Sequence, residues 1–512
     1  MAKVAGDTLH ECFVNAAHIY RKKLAFIDRT RNRRLTYTES LIGAIMMARE
    51  LQKHDETYIG IMLPTSAGCG IAMIATLLAG KIPVMINYST GAKENCLFAQ
   101  HKCGLRTIVT SKALLEKIGC DSVDGMIYAE DMMAGFGLTT KISAALLSKM
   151  PLSTFWKKFD KADPDATAVI LFTSGSEKAP KAVELSHKNI LSNLDVCGIE
   201  FNKTDKDVMM AILPMFHVFG LTVTFWLPIC YGMTIVTYAN PLEFKTVAKI
   251  IEEEKPSILV GTPYFLAGYL KHAKPGDLSS LRLAVAGADK MPAALQEAYE
   301  RDHGVLLREG YGATETSPVI SANRIDNNKT GSIGLPMPGV DVRIIDVKTG
   351  DILGVGKEGK LQVRGDLVMK GYLGDVEETV RRIEAGWYET GDMAMMDEDG
   401  FLWHKGRLKR FIKIGGEMVS LVAVEAALEK FLPDDASCCA VEVPDAKRGA
   451  TVGVAIDVDL DQSALMSQLA DVLPALSLPR HIVILDELPK MGSGKVDFRT
   501  TTETVIGILE KR

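Results

Sequence analysis

Small hydroxyl side chains, a glycine and two lysines follow one apolar segment of this sequence. The run Ala168–Phe172 is typical of a β-strand, and directly after it come Thr173, Ser174, Gly175, Ser176, Lys178 and Lys181. Hydroxyl and backbone N–H groups at the end of a strand can donate to phosphate oxygens, and lysine ammonium groups offset their charge. The Gly-x4-Gly-Lys-[Ser/Thr] spacing of a P-loop does not occur here. The pattern predicts a polyphosphate site of another kind; taken alone, it also fits a polar surface loop.

A second segment, Arg308–Thr316, places a tyrosine among glycines and before a Thr-Glu pair. Tyr311 can stack on an aromatic base, and Thr314 can donate to a phosphate. Glu315 offers carboxylate oxygens, which are the ligands that hard divalent cations prefer. Alone, this segment also fits an ordinary turn.

Three further segments carry charged groups next to glycines. Asp392 ends Trp387–Asp392, and a carboxylate after a tight turn suits a vicinal diol such as that of ribose. Lys405–Gly416 is basic and flanked by glycines, which alone fits a solvated linker. Near the end of the chain, a glycine turn presents Lys495.

Composition limits the classes of protein to which the chain can belong. Its 512 residues are 47% hydrophobic, enough to bury more than one core, and a net charge of −5 gives no reason to expect nucleic acid. Nine cysteines without Cys-x-x-Cys spacing argue against a disulfide framework or structural zinc and for a reducing, cytoplasmic location. Two very apolar stretches are interrupted, Met62–Ile86 by Pro64, Lys81 and Pro83 and Leu221–Val236 by Pro228 and Gly232, so buried elements are favoured over membrane spans.

Short β-branched runs alternate with helix-length amphipathic segments over most of the chain, which predicts an α/β fold with parallel sheets. From Gly331 to Arg364, glycines and prolines among short strands indicate an antiparallel β subdomain. After Gly400 a smaller α+β unit is predicted, with a helix at Val422–Phe431. The other predicted elements are the helix Ala67–Ala79 and the strands Tyr58–Leu63, Ile82–Ile86, Thr107–Thr110, Ala168–Phe172, Val208–Leu213, Thr234–Thr237, Ser257–Gly261 and Leu283–Ala286.

In this order and spacing, the five segments resemble the adenylate-forming superfamily of acyl-CoA synthetases, firefly luciferase and peptide-synthetase adenylation domains. Within it, Lys413–Leu421, Gly492–Phe498 and Ile82–Tyr88 most resemble bacterial acyl–acyl carrier protein synthetases, including the synthetase half of a bifunctional lysophospholipid acyltransferase. The resemblance implies a large N-terminal domain, residues 1–405, with two βα-layered parallel-type sheets and a β subdomain. It also implies a small mobile α+β domain, residues 406–512, that acts as a lid.

The superfamily uses ATP and Mg²⁺ in two steps. A carboxylate attacks the α-phosphate to give an acyl-adenylate and pyrophosphate, and a thiol then displaces AMP to form a thioester. By resemblance, the phosphate-binding residues are Thr173, Ser174, Gly175, Ser176 and Lys181, those around the adenine are Gly287, Ala288, Tyr311 and Gly312, and those at the ribose are Asp392 and Arg407. Thr314 would contact the α-phosphate, Glu315 would bind Mg²⁺, and Lys495 would bridge carboxylate and phosphate.

The resemblance also places a hinge at Lys409 and the side chain of Lys413 at the thioester-forming site. One departure concerns the phosphate loop, where Glu177, Lys178 and Ala182 replace residues common in the superfamily. An alanine in place of a glycine removes backbone freedom, which predicts a stiffer loop or weaker ATP binding.

A hydrophobic acyl pocket is expected beside the adenylate. Its candidate residues are His217, Val218, Phe219, Gly220 and Leu221, with Thr262–Phe265 (including Tyr264), Ala284–Ala286, Val319 and Ile320. No acidic residue in these segments could anchor an amino group, so a fatty acid is favoured over an amino acid. His217 fits a gate better than a base. The alternative is that many of these residues are simply core.

The thiol acceptor is predicted to be an acyl carrier protein, with CoA as the alternative. Carrier proteins present acidic helices, so a basic face is expected; the candidates are Arg407, Lys409, Arg410 and Lys413, with Arg21–Lys23 and Arg29–Arg34. Stand-alone adenylation of an aryl or amino acid and a non-enzymatic nucleotide-binding module are the remaining alternatives. The prediction also allows peripheral association with a membrane.

Overall fold

A computed structural model of the protein describes residues 5–173, 180–414, 417–433, 436–445, 448–490 and 496–511. Contacts divide the chain into two compact units. The first contains the described residues of 1–174, 180–341 and 363–388, and the second those of 342–362 and 389–512. No helix among the described residues is long and apolar enough to cross a lipid bilayer.

The strands of the described chain are β1 Leu24–Asp28, β2 Arg33–Thr36, β3 Tyr58–Ile61, β4 Ile82–Met85, β5 Ile108–Thr110, β6 Met126–Tyr128, β7 Thr167–Thr173, β8 Lys181–Ser186, β9 Val208–Ala211, β10 Thr234–Thr237, β11 Ile258–Gly261, β12 Leu283–Gly287, β13 Leu307–Gly312, β14 Val319–Ala322, β15 Leu335–Pro336, β16 Asp341–Ile345, β17 Glu358–Arg364, β18 Gly371–Tyr372, β19 Ile383–Glu384, β20 Trp387–Met396, β21 Leu402–Arg407, β22 Phe411–Ile414, β23 Glu417–Ser420, β24 Cys438–Asp445, β25 Gly449–Ile456 and β26 His481–Ile484.

The α-helices are α1 Leu9–Ile19, α2 Tyr37–Leu51, α3 Ala67–Leu78, α4 Ala92–Cys103, α5 Lys112–Ile118, α6 Ala129–Gly135, α7 Leu138–Leu147, α8 Leu152–Phe155, α9 His187–Glu200, α10 Leu227–Cys230, α11 Phe244–Glu254, α12 Pro263–His272, α13 Ala293–His303, α14 Val376–Arg382, α15 Leu421–Leu428, α16 Gln462–Ala470 and α17 Phe498–Leu509. A π-helix spans Phe219–Trp226, and 3₁₀ turns span Thr314–Thr316 and Leu408–Arg410.

Two sheets form the first unit. Of the described strands, nine make one sheet in the order β15-β14-β13-β12-β11-β9-β10-β1-β2, and seven make another in the order β18-β8-β7-β4-β3-β5-β6. The central strands are parallel, as in β9, β11, β12 and β13. Antiparallel strands close both edges of the nine-stranded sheet and one edge of the seven-stranded sheet, whose other edge strand, β6, is parallel to β5. Continuous apolar strands such as Leu283–Gly287 are buried throughout, which is the pattern of sheets covered on both faces. The predicted fold class is confirmed.

The second unit contains a β subdomain and an α+β part. β16, β17 and β20 are neighbours in one sheet, and β21 pairs antiparallel with β20. Towards the C-terminus, β24 pairs antiparallel with β25, which pairs in parallel with β26. Apolar residues from this sheet and from α15 and α16 form one core cluster.

Most predicted elements exist at nearly the predicted positions. The helix predicted over Ala67–Ala79 spans Ala67–Leu78, and the strand predicted over Thr234–Thr237 has those bounds. The helix predicted at Val422–Phe431 begins one residue earlier and ends at Leu428. The predicted boundary between residues 405 and 406 stays a prediction; the predicted hinge, Lys409, lies inside the second unit.

Candidate functional site

The predicted adenine-binding residues lie at the carboxyl ends of two adjacent parallel strands. Gly287 ends β12 and pairs in register with Gly310 of β13, and Tyr311 and Gly312 follow in the same strand. Ala288, the next residue after β12, has a φ of +74°, a conformation that non-glycine residues rarely adopt. In open α/β sheets this edge is where ligands bind.

Two of these glycines leave no room for a side chain. A Cβ at Gly312 would lie 2.0 Å from the Pro318 carbonyl oxygen, and one at Gly287 would lie 2.9 Å from Cζ of Phe219. Phe219 is one of the predicted acyl-pocket residues. The close packing therefore brings a predicted adenine residue and a predicted pocket residue into contact.

A 3₁₀ turn directly after β13 presents Thr314 and Glu315. Thr316 is buried and donates through Oγ1 to the Pro318 carbonyl at 2.8 Å, which fixes the end of the turn. The backbone carbonyl of Glu315 accepts from the Met369 N–H at 2.8 Å. Both predicted residues are half-buried, so their side chains remain accessible.

The Glu315 carboxylate has one engaged oxygen. Its Oε1 accepts a hydrogen bond from the Tyr372 hydroxyl at 2.9 Å, and Oε2 accepts none from the described residues. Burial and then the Glu315 carboxylate raise the pKa of the Tyr372 hydroxyl well above its usual value, so this group is a donor.

No cluster of three or more His, Cys, Asp or Glu side chains suited to a metal occurs among the described residues. The donor chemistry of Glu315 fits Mg²⁺, because Mg²⁺ in nucleotide sites takes one or two carboxylates and fills its shell with phosphates and water.

Lys181 lies on the other side of Tyr372. Its Nζ is 4.8 Å from the Tyr372 ring centroid and forms an ion pair with Glu378. Burial alone would raise the pKa of Glu378, but hydrogen bonds from Lys181 and Arg382 outweigh it and lower this pKa to about 2. The ammonium group predicted to bind phosphate is thus held by a carboxylate, and Tyr372 connects it to Glu315.

Sequence reasoning missed Tyr372 and Glu378. The only signal that the sequence offered was Tyr372 after a glycine, with Glu378 six residues later, in a segment without apolar periodicity. β18 places Tyr372 beside Val183 of β8, and α14 places Glu378 near Lys181. Only this pairing shows that the segment belongs to the site.

The structure places part of the predicted phosphate loop. Thr173 ends β7 and pairs with Lys181 of β8, which is antiparallel to β7. Ser174, Gly175, Ser176, Glu177 and Lys178 lie outside the described residues, as does Lys495. Their predicted roles stay predictions.

In the second unit, the two predicted ribose-binding residues face each other. Asp392 of β20 pairs with Arg407 of β21, and Nε of Arg407 lies 3.5 Å from Oδ1 of Asp392. Nε2 of His404 is 3.6 Å from the same oxygen. The Asp392 side chain is 8% exposed and that of Arg407 is 67% exposed. The exposed guanidinium of Arg407 therefore lies beside the buried carboxylate of Asp392.

The predicted hinge and the predicted thioester-site lysine are both exposed: Lys409 lies in the 3₁₀ turn Leu408–Arg410 and Lys413 on β22. Arg410 differs, because its buried guanidinium donates to the Ala440 carbonyl at 2.8 Å and pairs with Glu425. Arg410 is therefore a structural anchor, and its expected place in an exposed basic face was wrong.

A second predicted basic cluster, Arg29–Arg34, is partly neutralised. Arg29 pairs with Glu253 at 2.6 Å and with Glu254 at 2.7 Å, and Arg34 pairs with Glu254 at 2.8 Å. Glutamates at the end of α11 thus form ion pairs with two of the arginines in Arg29–Arg34. This reduces the positive surface that the sequence led us to expect there.

The predicted acyl-pocket segment surrounds the start of the π-helix. His217 is half-buried before it, Val218 is buried, and Phe219 opens it. A Cβ at Gly220 would lie 2.4 Å from the Pro214 carbonyl oxygen, so the backbone packs closely there. π-Helical turns occur frequently at functional sites.

Many candidate pocket residues belong to the apolar core. Phe219 and Tyr264, both partly buried, pack against a cluster that includes Ala284 and Ala286. Phe265 is fully buried in that cluster. Of the candidates, His217, Phe219, Tyr264 and Val319 retain exposed surface, and these four are the best placed to contact a ligand.

Comparison with known proteins gives family matches over most of the chain. Residues 13–373 match the AMP-binding enzymes, and residues 423–495 match the AMP-binding enzyme C-terminal domain. The chain is 30% identical to a long-chain-fatty-acid–CoA ligase of Bacillus subtilis (strain 168), over 94% of this chain and 90% of that protein. It is 28% identical to an anthranilate–CoA ligase of Pseudomonas aeruginosa, over 90% of this chain and 89% of that protein.

A solved structure shares the fold. ATP-bound MatB from Rhodopseudomonas palustris gives a TM-score of 0.84 at 22% identity, covering 98% of this chain and 99% of that one. At this identity the likeness concerns the fold alone.

Proposed function

Because the chain belongs to the family of AMP-binding enzymes and is an AMP-forming acid–thiol ligase, we propose that it activates a fatty acid with ATP and transfers the acyl group to a thiol. The observation that carries the proposal is the linkage of Glu315, Tyr372 and Lys181 beside the carboxyl ends of β12 and β13. Glu315 supplies a carboxylate for a metal ion, and Lys181 supplies an ammonium group for phosphate. Tyr372 contacts both of these side chains.

A carboxylate is already a nucleophile, so the first step needs orientation and charge stabilisation rather than a base. Thr173 and Lys181 would hold the outgoing phosphates, and Thr314 would donate to the α-phosphate. Glu315 would hold Mg²⁺, which supplies Lewis-acid chemistry at the phosphate oxygens. Gly287, Ala288, Tyr311 and Gly312 would surround the adenine, and Asp392 and Arg407 would bind the ribose hydroxyls.

A fatty acid is favoured over an amino acid as the substrate. The candidate pocket segments contain no Asp or Glu that could pair with an amino group. Each methylene moved from water to an apolar surface contributes about 0.8 kcal/mol, so an apolar slot near Phe219 and Tyr264 suits an alkyl chain. The relative named for long-chain fatty acids supports this class. Long alkyl chains partition into bilayers, so the proposal includes peripheral contact with a membrane.

For the thiol acceptor, CoA is now favoured over a carrier protein. The Bacillus subtilis and Pseudomonas aeruginosa relatives are both named as CoA ligases. The basic face expected for a carrier protein is also smaller, because Arg410, Arg29 and Arg34 are engaged by glutamates. Arg407, Lys409 and Lys413 are exposed and could face either acceptor.

For the second step we propose residues 1–405 and 406–512 as the two working domains, with Lys409 as the hinge. Lys495 would serve the first step and then leave, and Lys413 would face the thiol in the second. A single geometry cannot hold Lys495 at the α-phosphate and also admit a pantetheine arm.

The test of the first step is pyrophosphate exchange into ATP with fatty acids of increasing length, anthranilate and the amino acids. We expect exchange with fatty acids and a loss of about 100-fold or more in Glu315→Gln. Glu377→Gln, a change at an exposed glutamate of the same unit, is the matched control and should retain activity. Exchange with only aryl or amino acids would overturn the substrate class, and nucleotide binding without exchange would indicate a binding module.

A further inference from the structure

The helix α7 is apolar on two sides. It buries Ala144 and Leu147, whereas Leu138, Ile142 and Leu146 are 73%, 52% and 58% exposed. Their spacing of four residues places these three side chains along one face of the helix. A surface helix of a soluble protein normally presents polar residues opposite its buried face. This helix does not.

The exposed apolar surface continues beyond α7. Met150 is 43% exposed, and Ile19 at the end of α1 is 67% exposed. His18 brings these two segments together, because its Nε2 lies 3.0 Å from the Met150 carbonyl oxygen. We call Ile19, Leu138, Ile142, Leu146 and Met150 the apolar patch. Contiguous exposed patches of this kind mark interaction sites.

The chain around the patch is exclusively basic. Residues 132–159 contain four lysines and no aspartate or glutamate; the lysines are Lys141, Lys149, Lys157 and Lys158. All four are exposed, and none forms an ion pair with a described residue. Arg21 and Lys22, also exposed, follow Ile19 directly. The patch is therefore bordered by cations that have no protein counter-ion among the residues that the structure describes.

We propose that the apolar patch and its lysines bind the surface of an anionic lipid bilayer. Large apolar side chains on one helix face with lysines beside them are typical of helices that lie in a membrane interface. Lysine is depleted in protein–protein interfaces, which argues against a protein partner. The proposed contact is superficial, as for other helices that lie in the interface plane. Its purpose rests on the proposed function: a fatty acid dissolved in the bilayer would be collected there.

Vesicle flotation with the full chain tests the proposal. We expect binding to vesicles made of equal parts phosphatidylcholine and phosphatidylglycerol, weak binding to phosphatidylcholine alone, and a fall in binding as salt is raised. Leu138→Ser/Ile142→Ser/Leu146→Ser should lower the partition coefficient by about tenfold or more. Lys141→Gln and Lys149→Gln should each lower it by about fivefold on anionic vesicles only.

The matched control is Ile352→Ser/Val355→Ser, which removes apolar side chains that are 67% and 54% exposed in the second unit. It should bind vesicles like the unmodified protein. Failure of the unmodified protein to bind anionic vesicles, or equal binding by the triple serine variant, would overturn the proposal. Conversion of a dimer to a monomer by the triple variant, without vesicle binding, would assign the patch to a second copy and also overturn it.

The failure of this proposal can be distinguished from failure of the proposed function. Pyrophosphate exchange with a short, water-soluble fatty acid needs no vesicles, and we expect the triple serine variant to retain it. Loss of vesicle binding with normal exchange locates the defect in the patch. Normal vesicle binding without fatty-acid exchange would refute the proposed function and leave the membrane contact in place.

Discussion

At the scale of single residues, Tyr372 gives the sharpest prediction about the site. Its hydroxyl donates to Glu315 at 2.9 Å, and a hydrogen bond to a charged group contributes about 1.5–3 kcal/mol. Tyr372→Phe should lower kcat/KM for ATP by about tenfold to a hundredfold and raise the Mg²⁺ concentration needed for half-maximal rate. The measurement is the initial rate of pyrophosphate exchange over a Mg²⁺ titration.

The control for this prediction is Tyr238→Phe, because Tyr238 also donates to a glutamate, Glu243, in the same unit. It should leave both quantities unchanged. An unchanged Mg²⁺ dependence in Tyr372→Phe would show that Tyr372 does not position Glu315 for a cation.

At the scale of elements, the contact between β12 and the π-helix determines the shape of the candidate site. A Cβ at Gly287 would lie 2.9 Å from Cζ of Phe219, and overpacking of this kind costs about 1–3 kcal/mol. Gly287→Ala should lower kcat/KM by about tenfold, and the smaller side chain of Phe219→Leu in the double variant should restore it.

Gly310→Ala is the matched control, since Gly310 pairs with Gly287 and its Cβ would have only ordinary contacts at 3.6 Å and beyond. A double variant as impaired as Gly287→Ala alone would show that Phe219 is not the cause.

Two buried histidines join α1 to α9 and predict a loss of stability in acid. The ring centroids of His10 and His187 are 5.4 Å apart, and Nδ1 of His187 accepts from the Leu9 N–H at 3.2 Å. Burial lowers the pKa of His10 to about 4 and that of His187 to about 3. The unfolded chain therefore binds more protons than the folded protein below about pH 6.5.

The free energy of unfolding should thus fall as the pH drops from about 6.5 towards 4, by about 1.4 kcal/mol per pH unit for each histidine. His187→Gln should remove one such contribution from the slope. Urea unfolding followed by tryptophan fluorescence at several pH values measures it, with the exposed His272→Gln as control. The same slope in His187→Gln and the unmodified protein would contradict the assignment.

At the scale of the whole molecule, local patterns in the sequence predicted the fold and the residues at the ends of strands. β12 was predictable because a buried parallel strand is a continuous apolar run, and Gly287 ends it. β13 was not predicted, because Leu307–Gly312 carries Arg308 and Glu309 among glycines and fitted a loop, whereas it is a strand that contains Tyr311. Tyr372 and Glu378 were not readable, because a strand pairing distant in sequence brings them to Lys181.

The predicted basic face around Lys409 was overestimated for the same reason. Arg410 looks like its neighbours in the sequence, and only the folded chain shows Glu425 and the Ala440 carbonyl around it. Composition can count cations, but it cannot tell which of them the protein's own carboxylates neutralise.

The placement of Arg410 strengthens the last prediction, which concerns the hinge. Arg410 fixes the chain after Lys409 to α15 and β24, whereas Arg407, before it, pairs with β20. Any rotation between these two attachments must change the backbone angles of the turn Leu408–Arg410. Proline fixes φ near −65°. Lys409→Pro should therefore spare adenylate formation and lower thioester formation by about 100-fold or more.

Single-turnover assays of each half-reaction measure the two steps separately, with CoA and a holo-carrier protein in competition as acceptors. Lys409→Gly, which removes the same side chain but leaves the backbone free, should retain both steps because glycine does not restrict φ. Equal loss of both half-reactions in Lys409→Pro would mean that the turn supports the fold rather than a rotation. Loss of thioester formation in Lys409→Gly as well would assign the effect to the side chain.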